Sequence, residues 1–252
     1  MPLLQPDEPP AFTSERVEGR FPCLLLCEHA SNRIPRALGD LGLPPGEIGR
    51  HIGWDIGALS LARGLSRRLD AALFATGYSR LVIDCNRPLG APSSIPEQSE
   101  DTIVPGNIGL STTDRAARAE ALFHPFHDAV SAHLEAHAER RCVIGVHSFT
   151  PRYRGVARPW QAGFLYADAH RFAAPLIEGL RAQGICVGDN EPYTIDPAED
   201  YTVPVHGQAR GLPSLLIEIR QDLIADHADA DHWAELLAPL VCRAVASVQE
   251  PV

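Results

Sequence analysis

A chain of 252 residues that is 45% hydrophobic is long enough to bury a sizeable core. Its formal net charge of -10 argues against a nucleic-acid partner, which would want a basic face. A small anionic substrate remains open, because local arginines can oppose the overall sign.

No apolar run approaches the ~20 residues of a membrane helix. Residues 1–20 hold acids and prolines, without a basic start ahead of an apolar stretch, so they do not read as a secretory signal. The six cysteines, Cys23, Cys27, Cys85, Cys142, Cys186 and Cys242, form no CxxC pair. They are expected to be reduced thiols used for packing in a cytoplasmic protein.

Residues 1–20 read as a Pro-rich, partly acidic arm. Cys23–Cys27 is an apolar run of strand length, and it stops at Glu28-His29-Ala30-Ser31-Asn32 with Pro35 close behind. Residues 52–69 carry Ile56, Leu59, Leu61, Leu65 and Leu69 at helical spacing, with Asp55 near the start. A short strand is predicted over 71–76. A further strand over 81–84 runs into Cys85-Asn86-Arg87-Pro88. Residues 88–109 are rich in Pro, Gly and Ser and have no period. A loop of that length is usually functional, and it is expected to lie over the site as a lid or wall.

The longest helical pattern spans 114–141, capped by Thr112 or Thr113 and kinked or divided at Pro125. His133 and His137 have the i, i+4 spacing of a helical metal pair. Leu134 stands where such a motif has Glu, so the pair reads as solvated surface. His127 either reaches the site from behind or faces solvent. A buried strand over 142–146 ends in His147-Ser148, and a loop with Arg152, Arg154 and Arg158 follows. Strand, helix and strand are then predicted over 163–167, 170–183 and 185–187. An aperiodic stretch containing His206 runs to Gly211. The last strand, Ser214–Arg220, carries Glu218 and Arg220, and a helix over about 229–248 closes the chain. This alternation predicts one α/β domain over 1–252, a mostly parallel sheet with helices on both faces.

Open α/β sheets bind ligands at the carboxyl ends of their strands. The strand ends here offer two imidazoles, a carboxylate and a spare acid. Zinc hydrolase sites use about three N or O ligands and leave a position open for water. The metal lowers that water's pKa to about 7, and a neighbouring carboxylate can take its proton. Arginines would grip a substrate carboxylate with a two-pronged bond. No Gly-x-Ser-x-Gly elbow surrounds Ser31 or Ser148, so both read as hydrogen-bonding residues.

Five segments, CEHASNRIP, HIGWDIGA, RLVIDCNRP, GVHSFTP and GLPSLLIEIRQDLI, resemble the N-formylglutamate amidohydrolase family in order and separation, over roughly residues 20–225. That family is distantly similar to zinc carboxypeptidases and to the succinylglutamate desuccinylase and aspartoacylase group. The resemblance implies a three-layer α/β/α, zinc-carboxypeptidase-like fold with a mixed sheet. It also implies hydrolysis of an N-acyl amide on an acidic amino acid, such as N-formyl-L-glutamate. Carried over residue by residue, it makes His29 and His147 metal ligands, with Zn2+ the expected ion and another divalent metal open. Asp55 ranks as third ligand ahead of Glu28 and of Asn32, which stands where the carboxypeptidase pattern has Glu. Glu218 resembles the general base, and Asn86 and Arg87 a substrate-binding pair. Arg220, Ser31, Asn32, Ser148 and His206 are further candidates for substrate contact. Asp84 reads as structural, pairing Arg87 or bonding loop amides. The alternatives are a hydrolase of another N-acyl amino acid or small peptide, or a non-catalytic binder of a small anionic ligand. Oligomeric state is left open.

Overall fold

The computed structural model describes residues 2–249. Its eleven described strands are β1 (Phe12–Glu15), β2 (Cys23–Cys27), β3 (Ala72–Thr76), β4 (Gln98–Ser99), β5 (Thr102–Ile103), β6 (Cys142–Phe149), β7 (Arg152–Tyr153), β8 (Val156–Ala157), β9 (Ala162–Leu165), β10 (Val187–Asp189) and β11 (Ser214–Arg220). The α-helices are α1 (Ala58–Leu69), α2 (Thr112–Arg118), α3 (His124–Ala136), α4 (His170–Arg181) and α5 (His227–Gln249).

Seven strands form one sheet in the order β1-β3-β2-β6-β11-β9-β10. The central four, β3, β2, β6 and β11, are parallel. β1 is antiparallel to β3, and β9 is antiparallel to β11, so the sheet is mixed. Every residue of β2 is buried, as expected for a strand covered on both faces. Cys23, Leu25 and Cys27 point into one core with Leu61 and Leu65 of α1, Phe172 and Leu176 of α4, and Leu237 and Val241 of α5. Leu24 and Leu26 point the other way, into a core with Phe126 and Val130 of α3. This period-2 division of one strand between two cores makes the molecule three layers, α/β/α.

Several elements differ from the sequence reading. The N-terminal arm supplies edge strand β1, paired from Phe12↔Thr76 to Glu15↔Leu73. Its half-exposed FTSE carries no apolar run to signal it. Residues 81–84 are buried turn and coil, not strand. Their backbone is satisfied from elsewhere: Asn107 Nδ2 donates to the Leu81 carbonyl (2.9 Å), and Arg118 Nη1 to that of Val82 (2.9 Å). The long helical pattern starts at a capping box of Ser111 and Asp114, not at Thr112 or Thr113. A π-helical turn, Ala119–Phe123, joins α2 to α3 and places Pro125 in the first turn of α3, where a missing N–H is tolerated.

Residues 88–109 fold into short 3-10 turns and the β4–β5 hairpin, and they bury Ser94, Ile95, Val104 and Asn107. His133 is not solvated: it is buried, and its Nε2 accepts from Arg140 Nε at 3.2 Å. Of the six cysteines, Cys186 and Cys242 are exposed, so packing accounts for four. Among the described residues, no helix is long and apolar enough to cross a membrane.

Candidate metal centre and active site

Three parallel strand ends build the site. His29 follows β2 by two residues, and His147 lies within β6 in register with Glu218 of β11. Asp55 comes from the turn before α1. Its amide donates to the His29 carbonyl at 3.0 Å, and its own carbonyl accepts from Ala58 N at 3.2 Å. Gly57, at φ 82°, turns the chain into α1 against the Ile224 carbonyl, where a Cβ would collide. The Ser148 amide steadies Asp55 Oδ2 at 3.3 Å, and the Ser148 hydroxyl donates to the Ile56 carbonyl at 2.8 Å.

Three donor atoms converge. Asp55 Oδ2 lies 3.2 Å from His29 Nδ1 and 2.9 Å from His147 Nδ1, and the two Nδ1 atoms are 3.2 Å apart. All three residues are buried. A tetrahedral ion with ligand bonds of about 2.0–2.1 Å spaces its donors by about 3.3 Å, so the triangle fits such an ion. The far ring nitrogens face carboxylates. His29 Nε2 lies 2.7 Å from Asp84 Oδ1. His147 Nε2 lies 3.1 Å from Glu28 Oε2, a charge contact off the line of a good hydrogen bond. Carboxylates behind ligand imidazoles fix the tautomer with the other nitrogen free to bind metal.

The charges are balanced within the cluster. Burial works to raise the pKa of Asp55, but His29 and His147 outweigh it and hold the carboxyl well below its usual range. Burial likewise opposes Asp84, and Arg80 with His29 holds it down. Arg80 joins the two acids: Nη2 lies 2.8 Å from Asp84 Oδ2 and Nη1 3.3 Å from Asp55 Oδ1. Burial lowers the His147 pKa, yet hydrogen bonds and charge from Asp55 and Glu28 leave it well above the usual value. Glu218 behaves differently. Burial pushes its pKa up to about 7, and its Oε2 has no hydrogen-bond partner among the described residues. It lines a cavity of about 480 Å³ together with His29, Asp55 and His147.

The other predicted site residues divide. Asn86, Arg87 and Ser148 line that cavity. Asn86 Oδ1 is taken by the Thr202 amide (2.9 Å), and Arg87 Nη1 by Asp200 Oδ1 (2.7 Å) and the Glu199 carbonyl (2.5 Å). Arg220, Ser31, Asn32 and His206 do not line it. Arg220 forks onto Asp222. The Ser31 hydroxyl accepts from the Arg33 amide, and Asn32 is half-buried away from the cavity. His206 is buried, its Nε2 2.8 Å from His127 Nδ1, and His127 Nε2 meets the Cys85 carbonyl. His127 therefore neither reaches the site nor faces solvent. Asp84 bonds a loop amide, that of Asn86 (2.8 Å), but pairs with Arg80, not Arg87. Sequence reading missed Arg80 altogether. The i, i+4 spacing of Arg80 and Asp84 was its only signal. Glu28, ranked behind Asp55 as a third ligand, lies at the far side of His147 and accepts a hydrogen bond from the Thr202 hydroxyl.

A layered α/β scaffold whose strand ends gather buried imidazoles, a carboxylate and one free acid is the framework of a hydrolase. Residues 21–225 match the family model FGase, N-formylglutamate amidohydrolase, and the chain belongs to that family. The family makes it an amidohydrolase for a substrate of the N-formylglutamate type. The crystal structure of gene product Atu2144 from Agrobacterium tumefaciens superposes with a TM-score of 0.94 at 38% identity, covering 98% of this chain and 100% of that one. Slighter likenesses are to a bacteriophage poly-gamma-glutamate hydrolase (TM-score 0.46, 10% identity, 93% of this chain and 89% of that one) and to an aspartoacylase family protein from Mesorhizobium loti (0.33, 14%, 92% and 68%). No curated protein matches the sequence.

Proposed function

We propose that the protein hydrolyses N-formyl-L-glutamate to formate and glutamate in the cytoplasm, using a divalent ion, zinc foremost, held by His29, His147 and Asp55. The observation that carries this reading is the triangle of Nδ1, Nδ1 and Oδ2 atoms bordering the same cavity as the unpaired Glu218 carboxylate. A bound ion supplies Lewis acidity toward the amide carbonyl and makes a water nucleophilic near neutral pH. Glu218 Oε2 takes the proton of the attacking water and hands it to the amide nitrogen as that bond breaks. Its Oε2, without a hydrogen-bond partner among the described residues and bordering the cavity, is placed for both halves of the transfer. Asp84 and Glu28 keep the two imidazoles turned with Nδ1 inward, and Arg80 neutralises Asp55 and Asp84 from the other side.

The test is Glu218→Gln. Turnover is expected to fall by about 10²–10⁴-fold while metal content, read by elemental analysis, stays that of the wild type. Full activity in this variant rules out the assigned base. A second reading keeps the chemistry and enlarges the substrate to a longer N-acyl amino acid or small peptide. It is favoured by an adjoining cavity of about 720 Å³ that shares His51, Arg80, Arg87 and Tyr153 with the first. Formate and acetate release from a panel of N-acyl amino acids separates the two. Failure to load metal, with no hydrolysis across the panel, would point to a non-catalytic anion binder.

A further inference from the structure

We propose that Arg158 is the receptor for a carboxylate of the substrate, so that this residue, and not Arg87 or Arg220, selects dicarboxylate substrates. Arg158 follows the β7–β8 hairpin, and its amide donates to the Pro151 carbonyl at 2.9 Å. The residue is only 9% exposed. Its guanidinium carbon lies 4.8 Å from the ring centres of Tyr153 and Tyr193 and 5.7 Å from that of Phe149. Nη1 donates to Thr150 Oγ1 at 3.2 Å. All four of these neighbours line the cavity that holds Glu218 and the His29–Asp55–His147 cluster, and Arg158, not itself a lining residue, stands against them.

Three other arginines are spoken for. Arg80 is paired with Asp55 and Asp84, Arg87 with Asp200, and Arg220 with Asp222. Among the described residues, no carboxylate lies within 4.0 Å of Arg158. A buried cation without a counter-anion is costly, and aromatic faces offset only part of that cost. Among the described residues Thr150 takes Nη1, the Tyr193 hydroxyl is the other polar neighbour of the guanidinium, and neither Nε nor Nη2 is sealed off without a partner. A guanidinium fork that no protein carboxylate occupies matches the carboxylate of a ligand. The aromatic cage fixes the fork's plane in advance, so little freedom is lost on binding.

The substrate's identity rests on the reading above, but the anion site does not, so the test uses two readouts on the full chain. Glutarate binding is followed by calorimetry, without turnover, and KM is measured on N-formyl-L-glutamate. Arg158→Gln is expected to raise KM at least tenfold, to weaken glutarate binding by a similar factor, and to spare kcat by comparison. Arg158→Lys, which keeps the charge and loses the fork, is expected to fall between. Wild-type glutarate affinity and KM in Arg158→Gln would overturn the proposal. Should that variant not fold, Arg158→Lys decides, and wild-type glutarate affinity there overturns it equally. Wild-type protein that binds glutarate through Arg158 yet releases formate from no substrate would keep this inference and sink the proposed reaction.

Discussion

The Nδ1 atoms of His29 and His147 face each other at 3.2 Å, while each ring turns its other nitrogen to a separate carboxylate. Two imidazole nitrogens pointed at one spot repel unless a cation, a proton or a metal, sits between them. The arrangement is thus set by the acids behind the rings as much as by the rings.

Asp84→Asn tests that dependence. The substitution keeps the shape at His29 Nε2 but removes the charge that also pairs with Arg80. Zinc affinity, measured by competition with a chromophoric chelator, is expected to fall by about 10–100-fold. Unchanged affinity would mean that Asp84 does not orient His29.

Metal removal should register in stability as well as in activity. An ion that binds the folded chain at 100 times its Kd adds about 2.7 kcal/mol, which at this chain length corresponds to roughly 5–10 °C in Tm. Dialysis against a chelator followed by calorimetry is expected to show that loss, with recovery on adding zinc. A melting curve indifferent to both treatments would count against a resident ion.

Acid stability offers a check away from the metal. Burial lowers the pKa of His127 to about 3 and that of His206 to about 4. The unfolded chain takes these protons near pH 6.5 and the folded chain only below about 4. Their favourable contribution is therefore intact above pH 6.5 and lost as pH falls, at about 1.4 kcal/mol per unit per imidazole. Glu218, raised to about 7, acts in the opposite sense between its unfolded value and 7. The histidine contribution is accordingly read as a difference. Urea unfolding of His127→Gln between pH 6.5 and 4.5 should show a shallower fall than the wild type, and parallel curves would contradict it.

Gly57→Ala probes the turn that presents Asp55. A left-handed backbone costs a residue with Cβ about 1–2 kcal/mol, and the added methyl also meets the Ile224 carbonyl. We expect lower Tm together with weaker zinc binding, because Asp55 lies two residues upstream. Loss of stability with full zinc affinity would separate the turn from the site.

The sheet's central strands were legible because β2, β6 and β11 are short apolar runs that end abruptly in polar residues, and those ends are where the cluster forms. His29, His147 and Glu218 could be singled out for that reason, and Asp55, in the turn before α1, through the family resemblance. Leu81-Val82-Ile83 is an equally apolar run, yet it is buried coil, since periodicity cannot tell strand from other buried backbone. What decides there is Asn107 and Arg118, more than twenty residues downstream. Arg80 stayed hidden because its partners, Asp55 and Asp84, meet only in three dimensions. Arg220 had the right position on its strand, but a carboxylate two residues away claimed it.

The guanidinium of Arg118, on α2 and far along the chain from the candidate site, grips the Val82 and Gly106 carbonyls and Asn107 Oδ1. The segment it anchors ends in Asp84, the acid that steadies His29. Peripheral damage to α2 would then be felt as a loosened ligand, and screening for impaired metal retention should return substitutions on this helix alongside those in the pocket itself.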